Sequence, residues 1–470
     1  MWKRTKLETV RTLYRAACRI ANRLINASRS EHCTRRITES CRDPRALWKE
    51  VKNLLHSAES YKAASTPGLC HKFSDYFTSK ILKVKQTVLN LLAQRPPDPS
   101  STDRRTADLY LNDFYPTTVS EVSKLLSRLP NKTSPLDYIH TSVLKSCSDA
   151  FAPLISHLAN LSFAEGTFPS SFKEAQVTPL LKKTGLDGDD PANYRPISNL
   201  NTISKVIERL ALARLLPHVA ASGNFNPLQS AYRKQHSTET ALVKILDDLY
   251  RVIDEQKAAV LIGLDLSAAF DTIDHDTLIN RLQSVFGVTG VALEWIEAYL
   301  RGRSQYVKIG SERSLTTPCD IGVPQGSVLG PFLFSIYVSP ISDIISSFGI
   351  QYHQYADDTQ LYTAVKSGSE ANSIANLESC TIAVRDWFVA NGMLLNPEKS
   401  EVLLVGSRAQ VKKFAGGTGV AVAGSNIKFS VQLKSLGVTL DQGLTFDQHV
   451  RNVVKASNFH IRALRHIRPL

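Results

Sequence analysis

The stretch that most limits what this 470-residue chain can become is Ala259-Val260-Leu261-Ile262-Gly263-Leu264-Asp265-Leu266. The continuous apolar run Ala258–Leu266 reads as a buried strand, covered on both faces. Covering it needs a sizeable core, which 43% hydrophobic residues can supply and a largely disordered chain could not. The run nevertheless carries a carboxylate at its end. An unpaired buried charge is costly, so Asp265 is expected to face a cation.

A second segment, Tyr352-His353-Gln354-Tyr355-Ala356-Asp357-Asp358-Thr359-Gln360-Leu361-Tyr362, has β character on both sides of two adjacent carboxylates. It predicts a hairpin with an Asp-Asp tip. Like charges in a tight turn repel unless something positive lies beside them. Setting Asp265 against Asp357 and Asp358 would build an all-oxygen site suited to Mg²⁺, which favours carboxylates, phosphate and water. Two such ions, ~3.5–4 Å apart, would activate a 3′-hydroxyl and stabilise a leaving pyrophosphate. Alone, Tyr355-Ala356-Asp357-Asp358 would read as a solvated surface turn. Between the two segments lies Gly322-Val323-Pro324-Gln325-Gly326-Ser327-Val328-Leu329-Gly330-Pro331. Two glycines and a proline in five residues make a constrained loop whose backbone can approach a ligand closely, with Gln325 over the cleft.

The chain length predicts two or three subdomains. The net charge of +13 is uneven: residues 1–115 carry +11, residues 444–470 carry +4, and the centre is −2. An anionic partner, nucleic acid or a membrane surface, fits such a charge. At the N-terminus Leu7, Val10, Tyr14, Ala17, Ala21 and Leu24 form a helical apolar seam, with Arg11, Arg15, Arg19 and Arg23 in a stripe beside it. Asp43-Pro44 starts a second helix with Leu47, Trp48, Val51 and Leu54 as its apolar side. The Pro- and Ser-rich stretch 95–101 is the clearest linker. Beyond it the pattern is mixed α and β: helices over 119–129 and 136–166, a strand over 176–182, and helices over 199–219 (interrupted near Pro217) and 237–255. Seven scattered cysteines without a CxxC pair point to a reducing compartment, and no apolar run reaches the ~18 residues of a membrane span.

In order, Leu264-Asp265-Leu266-Ser267-Ala268-Ala269-Phe270-Asp271, the Gly322–Pro331 loop and Tyr355-Ala356-Asp357-Asp358 resemble the palm of a reverse transcriptase, and more narrowly the LINE-type non-LTR retrotransposon enzymes. Asn193-Tyr194-Arg195-Pro196-Ile197-Ser198-Asn199-Leu200 is similar to a fingers motif of that family, and Gln229-Ser230-Ala231-Tyr232-Arg233-Lys234 to its next block. Asn391–Ser400 and Leu436–Asp441 resemble its later palm and primer-grip motifs. Residues 1–62, with Asp43–Trp48, look like the spacer between endonuclease and polymerase.

The resemblance implies an α/β (α+β) right-hand polymerase with an antiparallel palm sheet. Its parts would be a basic helical spacer (1–93), a linker (94–115), fingers (116–257), a palm (258–443, with an insertion at 282–320) and a thumb begun at 444–470. Twenty-seven residues supply about one helix of a several-helix thumb, so a fragment of a longer element is expected. Asp265, Asp357 and Asp358 would be the catalytic metal carboxylates, with the backbone of Leu266 beside them, binding two Mg²⁺, with Mn²⁺ as a substitute. Arg195 and Lys182 or Lys183 would neutralise the incoming triphosphate. Phe270 would exclude a 2′-hydroxyl, and Gln325 and Gly326 would flank the nascent base pair. Lys399 matches a position proposed as proton donor to pyrophosphate, while Asp271 and His275 are explained by capping of the next helix. The implied partners are an RNA template, a DNA primer or target, and dNTPs, without a membrane, inside the cell and by the family's way of life in the nucleus. A group II intron-like reverse transcriptase and a catalytically inactive nucleic-acid-binding relic share these features. Ser327–Pro331 and the Trp48 spacer favour the LINE assignment.

Overall fold

The computed structural model describes residues 8–40, 43–55, 68–94, 106–183, 185–366, 368–414 and 417–467. Its mixed α/β content divides between two units, one made of Met1–Lys62 with Phe446–Leu470 and the other of Ala63–Thr445.

Two main sheets organise the larger unit. In the first, β1 (Glu174–Leu181) pairs antiparallel with β2 (Tyr194–Asn199). The segment read from sequence as a palm insertion, 282–320, supplies the rest: β5 (Arg303–Ile309) runs parallel to β1, while β6 (Glu312–Arg313) and β7 (Thr317–Cys319) pair with β5. The second sheet has the order β12 (Gly419–Val422), β13 (Ser425–Ser430), β11 (Glu401–Val405), β3 (Ala258–Leu264), β9 (Asp358–Val365) and β8 (Gln351–Tyr355). Val260, Leu261 and Ile262 of β3 are all fully buried. Successive side chains point to opposite faces of a strand, so both faces of β3 are covered, as its unbroken apolar run requires. Short ladders of β4 (Leu266–Ser267) with β10 (Leu394–Leu395), and of β14 (Gln432–Ser435) with β15 (Val438–Asp441), complete the pairing.

Helix ends follow local chemistry. Ser237 caps the helix Thr238–Asp254 in a reciprocal box with Thr240, and Asn201 caps Thr202–Ala221 through the N–H groups of Ile203 and Ser204. Pro217 does not interrupt that helix. It lies inside the helix, which continues for four more residues to Ala221, and it forfeits one backbone bond there. The region 136–166 is not one helix: Thr141–Ser146 and Ser148–Ala164 are separated at Cys147.

The helix Leu69–Gln94, grouped by the sequence with the N-terminal spacer, belongs to the larger unit. Phe73 and Phe77 pack with Val177 and Val307 of the first sheet, and Val84 and Val88 pack with Val389. The linker residues 95–105 lie outside the described residues.

In the smaller unit, the helices Glu8–Ser40, Pro44–Leu55 and Asp447–Ile467 come together. Trp48 meets His460 edge to face at 5.7 Å, and Arg36 pairs with Glu50 at 2.5 Å. Cys33 is the buried residue of the long helix, while Tyr14 and Leu24 remain 61% and 67% exposed. The predicted apolar seam is therefore uncovered over that stretch. No described helix is long and apolar enough to cross a membrane.

Candidate active site

The register of β3 on β9 pairs Leu264 with Thr359. Asp265 directly follows Leu264 and Asp358 directly precedes Thr359, so the two carboxylates lie at the same end of the paired strands. Tyr355 pairs with Asp358 across the neighbouring hairpin, leaving Ala356 and Asp357 as a two-residue turn. The three carboxylates thus gather at the ends of three adjacent strand segments. Ala356 adopts φ 57°, a left-handed conformation that costs a residue with a Cβ about 1 kcal/mol or more.

Electrostatics sharpen the picture. Asp265 Oδ2 is buried without a hydrogen-bond partner and lies 3.8 Å from Lys399 Nζ. Burial raises the Asp265 carboxyl above its ordinary range; Asp357 adds to this and Lys399 opposes it. Asp358 is exposed at its edge, yet partial dehydration, then Asp357 and Asp265, push it up to about 6. Such carboxylates ionise together only when positive charge is supplied. A cavity of about 140 Å³ opens beside them, lined by Asp265, Asp358, Gln360, Lys399, Glu401 and Lys434. No three His, Cys, Asp or Glu side chains among the described residues stand close enough to hold an ion by themselves. The donor set still fits a hard cation: all oxygen, one atom orphaned, the rest left to substrate and water. Leu266 is held by β4 pairing with Leu395, and Asn396 N–H donates to the Asp265 carbonyl at 2.9 Å. The backbone beside the carboxylates is therefore fixed.

Further cations lie on the first sheet and on the helix packed against it. Arg195 is exposed on β2 opposite Leu180. Lys182 Nζ donates to the Ala192 carbonyl at 2.6 Å, and its ammonium is depressed by burial and then by Lys80, Lys399 and Arg195. Lys80, on the helix Leu69–Gln94, escaped the sequence reading because no motif surrounds it. Its charge reaches Asp265, Asp271 and Lys182.

The Gly322–Pro331 loop comes close to backbone of this same chain. A Cβ on Gly322 would stand 2.8 Å from the Asp271 carbonyl oxygen, and one on Gly326 would stand 2.6 Å from that of Ser198. The backbone that comes close is the protein's own. Gly322 and Val323 N–H groups donate to the Ile273 and Phe270 carbonyls, and Ser198 N–H donates to the Gln325 carbonyl. Gln325 Nε2 donates to both carboxylate oxygens of Asp271 at 3.0 Å. Asp271 is thus engaged by Gln325 rather than by capping, and burial pushes its carboxyl up to about 6. The cap of the next helix is Asp274, through Thr277 N–H, while His275 Nε2 donates to the Gly322 carbonyl. Phe270 is half-buried and stacks on Phe334 with ring centroids 4.9 Å apart. Glu208, fully buried, closes the loop's far end by accepting from the N–H groups of Val328 and Leu329 at 2.7 and 3.1 Å.

Strand-end carboxylates, neighbouring cations and a loop bonded both to β2 and to the turn Ala269–Thr272 mark the candidate site of this α/β protein. Sequence comparison narrows the class. A profile for reverse transcriptase (RNA-dependent DNA polymerase) matches residues 181–440, more than half of the chain, and the chain belongs to that family. The RNA-directed DNA polymerase from mobile element jockey of Drosophila melanogaster is 29% identical over 346 residues, covering 72% of this chain and 37% of that protein. The probable RNA-directed DNA polymerase from transposon X-element of the same fly is 27% identical over 348 residues, with 74% and 37% covered. The Pol polyprotein of type-1 retrotransposable element R2 from Popillia japonica is 26% identical over 266 residues, with 54% and 35% covered. The chain spans well under half the length of these relatives.

Proposed function

We propose that this chain is the polymerase region of a non-LTR retrotransposon protein and carries out RNA-templated DNA synthesis. The observation that carries the reading is that Asp265 and Asp358 lie at the same end of the paired strands β3 and β9, with Asp357 in the adjoining turn. Residues 116–257 would act as fingers, 258–443 as palm and 444–470 as the start of a thumb, with 1–93 as spacer and 94–115 as linker.

Asp265, Asp357 and Asp358, with the backbone of Leu266, would hold two Mg²⁺ ions, or Mn²⁺ in their place. When bound, the ions lower the pKa of a primer 3′-hydroxyl and neutralise charge on the departing pyrophosphate. In the overall transfer, the bond from the 3′-oxygen to the α-phosphorus forms, the hydroxyl proton is lost and pyrophosphate leaves. Arg195, Lys182 and Lys80 would hold the triphosphate by fixed positive charge. Lys399, the counter-ion of Asp265 in the free protein, would turn to the pyrophosphate and supply its proton. Phe270, set by its stack on Phe334, would occupy the space of a 2′-hydroxyl and so select dNTPs. Gln325 and Gly326, fixed through Asp271 and Ser198, would border the nascent base pair. RNA template, DNA primer and dNTPs are the partners this reading needs, met in the nucleus.

Primer extension on an RNA template with Mg²⁺ and dNTPs tests it, wild type beside Asp357→Asn. Extension by wild type that the substitution abolishes is the expected result. Absence of extension by wild type, with template binding retained, would favour a protein that only binds nucleic acid.

A further inference from the structure

The turn that carries Asp357 sits at an exposed location in the topology, since β8 is an edge strand of its sheet. Ala356, beside Asp357, is left-handed without being glycine. Nothing in the hairpin's own ladder explains why such a turn stays in place. The loop Leu228–Ser230 supplies the missing restraint. Gln354 N–H donates to the Leu228 carbonyl at 3.0 Å and Ser230 N–H to the Gln354 carbonyl at 2.9 Å, a short parallel bridge along the open edge of β8.

From this bridge the side chain of Gln229, fully buried, reaches the turn itself. Its Oε1 accepts from Ala356 N–H at 2.9 Å and from Ala231 N–H at 3.1 Å, and its Nε2 donates to the Ala356 carbonyl at 3.1 Å. One primary amide therefore satisfies both backbone groups of the strained residue. The surrounding buried side chains repeat the pattern. Asn226 Nδ2 donates to Gln354 Oε1 at 2.6 Å, Gln354 Nε2 donates to Thr359 Oγ1 at 3.1 Å, and Tyr352 OH donates to Asn226 Oδ1 at 3.0 Å.

We infer that Gln229 is a positioning residue for the Asp357–Asp358 turn. It touches neither nucleotide nor metal. It fixes the peptide before Asp357, so that the Asp357 carboxylate is presented beside Asp265 and Asp358 at the cost of a left-handed alanine. The inference rests on the polymerase reading, because its readout is the use of metal and nucleotide at that site.

The test compares the full chain with Gln229→Met, which keeps the side-chain volume and removes all three hydrogen bonds. Misplacing a catalytic group by about 1 Å can cost a hundredfold, so kcat should fall about ten- to hundredfold, with half-saturating Mg²⁺ raised. Primer–template affinity should stay within twofold. Adding Ala356→Gly to Gln229→Met should recover at least about threefold in kcat, because glycine holds a positive φ without help. A folded Gln229→Met with kcat and Mg²⁺ dependence within twofold of wild type would overturn the inference. So would a double variant no more active than the single one. Circular dichroism and thermal unfolding of both variants separate this from loss of fold. If wild type itself extends no primer, the polymerase reading has failed; extension by wild type with an indifferent Gln229→Met removes only the positioning role.

Discussion

Truncating Glu208 tests whether the loop carrying Gln325 and Gly326 is held from behind. The carboxylate is fully buried and accepts four hydrogen bonds: Val328 N–H at 2.7 Å, Leu329 N–H at 3.1 Å, Tyr299 OH at 3.2 Å and Ser204 OH at 3.2 Å. Burial and the neighbouring Glu208 push the Tyr299 phenol far up, so it remains a donor at every working pH. Glu208→Ala strands all four donors. Each unsatisfied buried group costs about 1–3 kcal/mol. Rotation of the two hydroxyls and entry of water into the vacated space hold the sum near the lower limit, about 4 kcal/mol. Glu208→Gln should behave differently. Its carbonyl can take the Oε2 position, and its amide can donate to the Ser204 oxygen, so the loss is the charge assistance alone, about 1–2 kcal/mol. Urea unfolding followed by Trp fluorescence reads the relevant layer, because Trp295 donates to Ser162 and stacks on Tyr299 at 5.9 Å. The alanine variant should also need more dNTP for half-saturation, since Val328 follows the Gln325–Gly326 pair. Equal stabilities for the Ala and Gln variants, or an alanine cost below ~1 kcal/mol, would refute the anchoring role.

Three further outcomes are expected. Asp358→Asn should stabilise the metal-free protein above pH 6 and not below about 4. The folded carboxyl, raised to about 6, keeps its proton while the unfolded one ionises, so stability falls as pH rises through that window. Thermal unfolding at pH 8 and pH 3.5 checks this, and an equal gain at both would place the effect elsewhere. Phe270→Ala should admit NTPs alongside dNTPs in primer extension; unchanged preference would take Phe270 out of the selecting role. Deleting residues 1–62 should reduce the slope of log affinity for RNA against log salt by at least ~2, about three phosphate contacts on a single strand, whereas an unchanged slope would make the N-terminal helices structural only.

What the sequence revealed and what it hid divide along contact distance. The strand ending in Asp265 and the hairpin tip at Asp357 and Asp358 were legible because an unbroken apolar run and a turn between two β-like stretches are local signals. The helix over 237–255 was legible for the same reason. Asp271 was misread as a cap because Asp274, three residues on, offers the same local chemistry, and only the Gln325 side chain, far along the chain, separates the two. The glycines of the loop announced a close approach but not to what. Gly322 and Gly326 meet Asp271, in the turn Ala269–Thr272, and Ser198, on β2, which no spacing encodes. Glu208, Gln229 and Lys80 share that difficulty: each acts across more than a hundred residues, on partners that no local pattern names. The exposed seam over Tyr14–Leu24 is the converse case. Helical periodicity was correct there, yet it says nothing about whether a partner covers the face.

Charge distribution and domain structure give the same division from another direction. Residues 1–62 carry a net +9 and 446–470 a net +4, so the smaller unit, 87 residues, holds all of the +13. The larger unit, with 36 basic and 36 acidic side chains, is neutral. A neutral body with local clusters of both signs suits chemistry in which carboxylates and a triphosphate must meet without a general field favouring either. A uniformly basic body would raise affinity for every phosphate alike, including those that must leave. The positive excess instead resides in helices drawn from both ends of the chain and joined at Trp48 and His460.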